Sequence, residues 1–156
     1  LSHPACRIGI LPAELKQLFL LTVMNVLGGN VDDHNKNFGF LMGDDGVWHA
    51  APAYDFTFSV DPSAPGYMNR HCMTIGNKNS DIGRGDLLEL AGRYNIKGAD
   101  AIIEKAIGVV SDYDRYAERA GVSGYWCRPD HRIRELIQAL DNVIASLFKG
   151  WLFLRK

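Results

Sequence analysis

The sequence predicts a mainly α-helical domain of the α+β class, with one short β-hairpin beside a polar loop. Three observations carry that expectation. Apolar side chains cover nearly every face of the stretch from Ala13 to Leu27, the pattern of a central, buried helix. Two short runs, 38–42 and 47–50, flank Gly43-Asp44-Asp45-Gly46, which has the Asp and Gly chemistry of a hairpin turn. Later stretches return apolar residues at the helical period, each with one face to bury.

Taken in order, Pro12 suits the first position of the first helix, because its missing N–H is unpaired there in any case. Gly28-Gly29-Asn30 ends that helix, since glycine and asparagine tolerate the left-handed backbone of a helix terminus. A polar loop, Asn30 to Asn37, follows and leads into the hairpin. From Phe56 to Asn79 the pattern dissolves into Pro62, Pro65, Gly66 and mixed polar residues, a long surface loop with one short possible strand at 72–75. After Gly85-Asp86 a helix carries Leu87, Leu88, Ala91 and Tyr94 on one face; another from Gly98 carries Ile102, Ile103, Ala106, Ile107 and Val110. A short helical stretch before Gly121 precedes a last helix with a stripe from Ile133 to Leu147. Trp151 to Leu154 is too short to place.

The 156 residues make one domain, 1–156, with 47% apolar residues to fill a single core. A net charge of −1 gives no electrostatic pull toward nucleic acid or an anionic membrane. Cys6, Cys72 and Cys127 are odd in number and widely spaced, which indicates neither a disulfide framework nor a zinc site and suits a reducing cytoplasm. No export signal or membrane-spanning segment is legible. Leu1-Ser2-His3 lacks an initiator Met, so the chain reads as a piece of a longer one.

The polar loop concentrates the chemistry. Asp32, four residues, then Asn37 is the interval at which protein kinases place the acid that accepts a hydroxyl proton and the amide that binds a metal ion. Beyond the hairpin, Pro52-Ala53-Tyr54-Asp55 puts a second carboxylate where a kinase has its other metal-binding Asp. On this reading Asp32 is the catalytic acid, and Asn37 and Asp55 offer the hard oxygens that Mg²⁺ prefers. His34 and Lys36 add donors to phosphate oxygens, with His34 two residues after Asp32 where many kinases carry a phosphate-contacting Lys. Any one of these residues alone would be ordinary turn and capping chemistry; the combination is what separates them from it. Asp33 reads as a solvated neighbour or a cap. Tyr54 reads as a packing residue whose ring or backbone lines a nucleotide pocket. His3, His49, His71 and His131 read as surface or satisfied core histidines, and Trp48, Trp126 and Trp151 as packing residues.

Together, Asn25-Val26-Leu27, Asp32-Asp33-His34-Asn35-Lys36-Asn37, Pro52-Ala53-Tyr54-Asp55 and Asn77-Lys78 resemble the C-terminal region of HipA-like proteins, from about Leu11 to about Val122. These are bacterial serine/threonine protein kinases that act as toxins of type II toxin–antitoxin modules. The resemblance implies the helical C-terminal lobe of a protein-kinase-like fold, with Asp32 as catalytic acid and His34, Asn35, Lys36 and Asn37 at the ATP phosphates and metal. Tyr54 and Asp55 would close the nucleotide and Mg²⁺ site. It also implies a helix-turn-helix antitoxin of the HipB type as partner, contact with DNA only through that antitoxin, and an aminoacyl-tRNA synthetase, the glutamate enzyme, as substrate. No Gly-rich phosphate-covering loop and no Val-Ala-Ile-Lys-like strand precedes Asp32, so the N-terminal lobe is expected outside this chain. A truncated lobe that binds a partner without turnover is the competing reading. A metal-dependent hydrolase on Asp32, His34 and Asp55 is a third, short of the further His and Asp ligands such a site needs.

Overall fold

The computed structural model describes residues 9–61 and 63–121. The last helix, the Trp151 to Leu154 segment, Trp126, Cys6, Cys127, His3 and His131 lie outside them. The chain divides into two compact units, 1–106 and 107–156, and everything described below lies within the first unless stated.

Helix α1 spans Pro12–Leu27, with Pro12 opening it. Glu14, in the first turn, returns one carboxylate oxygen to the Leu11 N–H at 3.2 Å, satisfying a donor that the helix itself leaves unpaired. Its other oxygen accepts the Ala50 N–H at 3.2 Å and meets His49 Nδ1 at 2.9 Å. Desolvation pushes the Glu14 carboxyl up, but His49 and the Leu11 and Ala50 N–H groups outweigh it and hold the pKa below the ordinary value. Glu14 thus joins the start of the helix to the hairpin. The expectation of burial on nearly all faces holds only for the second half, where Leu18, Phe19, Val23, Val26 and Leu27 are buried; Lys16 and Gln17 face solvent.

Strands β1 (Phe40–Met42) and β2 (Trp48–Ala50) pair antiparallel, with Phe40 opposite Ala50, Leu41 opposite His49 and Met42 opposite Trp48. They are shorter than the runs in the sequence, but Gly43 N–H to Val47 O at 2.8 Å and Ala51 N–H to Gly39 O at 2.9 Å carry hydrogen bonding past both ends. Leu15, Phe38, Phe40 and Ala50 pack against Ile10 and Leu18, so the hairpin closes over the first half of α1. Trp48 stays partly exposed and is not the packing residue expected of it.

α1 ends with the Gly28 N–H on Met24 O at 2.7 Å, and Gly29 takes the left-handed φ of +62°. These two glycines also admit the returning chain: a Cβ would lie 2.6 Å from Phe56 Cζ at Gly28 and 2.8 Å from the Phe58 ring at Gly29. The 56–82 segment is irregular, with a 3-10 turn at Gly66–Met68 and an isolated bridge between Ile75 and Lys78. No strand forms at 72–75. The amides around it go to three different places instead, His71 N–H to Asn79 O, Cys72 N–H to Val31 O and Met73 N–H to the Asp33 carboxylate, so no continuous ladder can develop.

Helix α2 (Arg84–Arg93) begins one residue before Gly85 and buries Arg84, Leu87 and Ala91. Asp86 in its first turn accepts the Gly83 N–H at 2.8 Å and pairs with Lys78. Helix α3 (Ala99–Ser111) crosses the boundary between the two units and buries Ala99, Ile103 and Ala106 in the first. Arg84 reaches from α2 to Asp100 at 2.8 Å and to Glu104, one turn further along α3. In the second unit α4 (Tyr113–Arg119) buries Ala117. Among the described residues no helix is long and apolar enough to cross a membrane.

Candidate catalytic loop

A polar loop with almost no apolar area must be held by directional bonds, and residues 30–37 are fastened from three sides. At the entrance Asn30 is only 2% exposed. Its Nδ2 donates to Asn25 Oδ1 at 3.1 Å and lies 3.5 Å from the Asp55 carbonyl. From the second side comes Ser59, whose Oγ accepts the Val31 N–H at 2.9 Å and the Asp32 N–H at 3.1 Å while donating to Asn30 Oδ1 at 3.4 Å. That uses the full capacity of a hydroxyl, one donor and two acceptor sites. On the third side, Cys72 N–H bonds Val31 O at 3.0 Å.

Downstream, Asn35–Asn37 form a single 3-10 turn, and Asn37 Nδ2 donates to the Asp32 carbonyl at 3.1 Å. The two main-chain groups of Asp32 are therefore both engaged, its N–H by Ser59 and its C=O by Asn37. Its carboxylate is 64% exposed. Near it stand Cys72 Sγ, 3.7 Å from Oδ1, and His34 Nε2 at 4.0 Å. Burial and then the negative charge of Asp32 raise the Cys72 pKa, which keeps that thiol a protonated donor toward the carboxylate.

Asp33 has the opposite fate. Its side chain is 9% exposed, with Oδ2 on His71 Nδ1 at 2.9 Å and Oδ1 on the Met73 N–H at 3.2 Å. The solvated neighbour or cap expected here is instead a buried carboxyl group with both oxygens engaged, because a polar group shut away from water must find partners. Of two adjacent acids only Asp32 is open to solvent. Behind the loop Asp33 lines a cavity of about 210 Å³, shared with Thr22, Asn25, Met73, Arg93 and Tyr94.

The remaining expected site residues fall in two groups. His34, Asn35, Lys36 and Asn37 sit with Asp32: Asn37 is buried, Asn35 and Lys36 are exposed, and His34 Nδ1 is buried without a partner among the described residues. Tyr54 is packed less than expected, but its hydroxyl donates to the Lys36 carbonyl at 2.6 Å. Asp55 adopts a left-handed φ of +54°, an uncommon conformation for a non-glycine residue and one that marks strain at many functional sites. Its carboxylate makes no hydrogen bond or ion pair among the described residues. Tyr54 on Lys36 and Asp55 near Asn30 tie this segment to both ends of the loop.

For a metal ion the donors fit in kind: the Asn37 oxygen forms no hydrogen bond among the described residues, and Asp55 adds a carboxylate. No group of three or more His, Cys, Asp or Glu side chains is arranged to hold a metal ion among the described residues. An ion here would draw further oxygens from water or a ligand, which is the habit of Mg²⁺. Sequence reasoning missed Ser59; His71 is the satisfied core histidine of the two readings open to it. An isolated serine in a structureless stretch gives no signal, and the Asp33–His71 pairing spans 38 residues, beyond the reach of any local pattern.

Neither a curated protein nor a solved structure matches the chain. Residues 6–145 match the family model described as the HipA-like C-terminal domain, which covers the loop, its clamps and the helices beyond, and the chain belongs to that family.

Proposed function

We propose that this chain is the C-terminal lobe of an ATP-dependent serine/threonine protein kinase, and that Asp32 is its catalytic acid. The observation that carries the reading is the division of labour at Asp32: a main chain fixed at both N–H and C=O, and a carboxylate left in solvent. Membership of a kinase-related family supports it. Phosphoryl transfer asks a protein chiefly for positioning and charge. Asp32 would orient the acceptor hydroxyl and take its proton as the hydroxyl oxygen bonds to the γ-phosphorus and the bond to the ADP oxygen breaks. Asn37 and Asp55 would hold Mg²⁺, which when bound neutralises charge on the phosphate oxygens. Lys36, exposed and without an ion pair among the described residues, and His34 are the donors nearest to hand for those oxygens.

The Gly-rich loop and strand-borne Lys of a kinase would come from a second lobe. By family likeness a helix-turn-helix antitoxin of the HipB type is the proposed partner, and an aminoacyl-tRNA synthetase the proposed substrate. The test is to incubate the full-length protein with labelled ATP and a cell lysate and identify the labelled protein. A discrete protein labelled on Ser or Thr is expected. No ATP-dependent label above a heat-killed control would contradict the reading.

A further inference from the structure

Asp33 and His71 form a buried, hydrogen-bonded joint that the transfer chemistry itself does not use. Burying a carboxylate is costly unless it is paired and hydrogen-bonded, and a loop could be held by neutral amides alone, as Asn25 and Asn30 hold its entrance. The joint lies immediately beside Asp32. His71 is 10% exposed and its own N–H is fixed on Asn79 O at 2.8 Å. Because an ionised carboxylate only accepts, the Nδ1 facing Asp33 Oδ2 at 2.9 Å carries the proton. With Met73 N–H on Asp33 Oδ1, Cys72 N–H on Val31 O and Cys72 Sγ on Asp32 Oδ1, residues 71–73 and 31–33 are linked by four hydrogen bonds. Cys72, between the two residues that grip Asp33, reaches Asp32 instead.

We propose that Asp33 and His71 are a positioning pair that sets the Asp32 carboxylate for proton transfer, with the 71–73 segment as the brace it closes. The catalytic consequence rests on the kinase reading above; the geometric consequence does not. Loss of the pair frees the loop from the 71–73 segment while Ser59 still holds it, and a misplacement of about 1 Å in such a group can cost on the order of 10²-fold in rate.

The test uses His71→Ala and His71→Asn in the full-length protein. An asparagine Nδ2 falls near the position of the imidazole Nδ1, so it can still donate to Asp33. Two readouts report geometry without kinase activity: amide exchange of Val31 to Asp33, and the labelling rate of Cys72 by a thiol reagent, resolved from Cys6 and Cys127 by peptide mass. His71→Ala should speed both and lower kcat on the order of 10²-fold, with KM for ATP little changed. His71→Asn should recover most of each. Exchange and labelling unchanged in His71→Ala would overturn the proposal, as would a kcat loss that matches the loss of folded protein. A wild-type protein that transfers no phosphate defeats the kinase reading instead, and the exchange and labelling data then decide the positioning claim by themselves.

Discussion

The loop at 30–37 and the helical region from Arg84 to Ala106 are both ordered, by different means. In the helices the buried residues Leu87, Ala91, Ile103 and Ala106 recur at helical spacing, and order comes from apolar area removed from water. The loop has one buried aliphatic side chain, Val31, and is held by hydrogen bonds to residues 25 to 40 positions away, at Asp55, Ser59, His71 and Met73. Area is tolerant of direction and a hydrogen bond is not. Damage to the helices should therefore show first in stability, and damage to the loop first in geometry and rate.

The largest expected stability effect lies in the helices. Leu87→Ala, at a fully buried position, should destabilise by about 2–5 kcal/mol and leave the transfer rate per folded molecule unchanged; an unaltered denaturation midpoint would break the comparison from its apolar side. Next comes Asn30→Ala, which strips donors and acceptors from a buried network with Asn25 and Ser59. It should cost about 1–3 kcal/mol and, unlike Leu87→Ala, slow the folded fraction as well. Ser59→Ala leaves the Val31 and Asp32 N–H groups without their acceptor and should cost about 1 kcal/mol, with faster amide exchange confined to the loop. A loss of exchange protection spread evenly over the helices would erase the distinction.

The smallest effect is at the helix start. Lys78, and then the Gly83 N–H, lower the pKa of Asp86, so its contribution is fully present above the ordinary value of 3.8 and fades as pH falls below it. Asp86→Asn should cost up to about 1 kcal/mol near neutral pH. Chemical denaturation of both proteins down a pH series should bring them together in acid, and a gap that persists there would place the stabilisation elsewhere.

The same contrast decides what could be read from the sequence. Pro12, Gly28-Gly29 and the Asp-Gly turn announced α1, its end and the hairpin, because such signals act within a few residues. Helices α2 and α3 followed from apolar spacing alone. Within the loop, the spacing of Asp32 and Asn37 pointed to two residues that the structure does join, through Asn37 Nδ2 and the Asp32 carbonyl. Which of Asp32 and Asp33 is buried was not legible, since that depends on His71, 38 residues further on. The 72–75 run looked like a strand because its residues suit one; what sets its conformation is the loop that its amides serve.

The most direct test of the central claim is single-turnover transfer by the full-length protein at saturating MgATP, comparing wild type with Asp32→Asn and measuring nucleotide binding on the same samples. Asp32 is exposed and its main-chain bonds survive the substitution, so folding and MgATP affinity should hold while transfer falls on the order of 10²–10⁴-fold. Transfer at the wild-type rate by Asp32→Asn would remove Asp32 from the mechanism and with it the reason for a loop so fastened from behind.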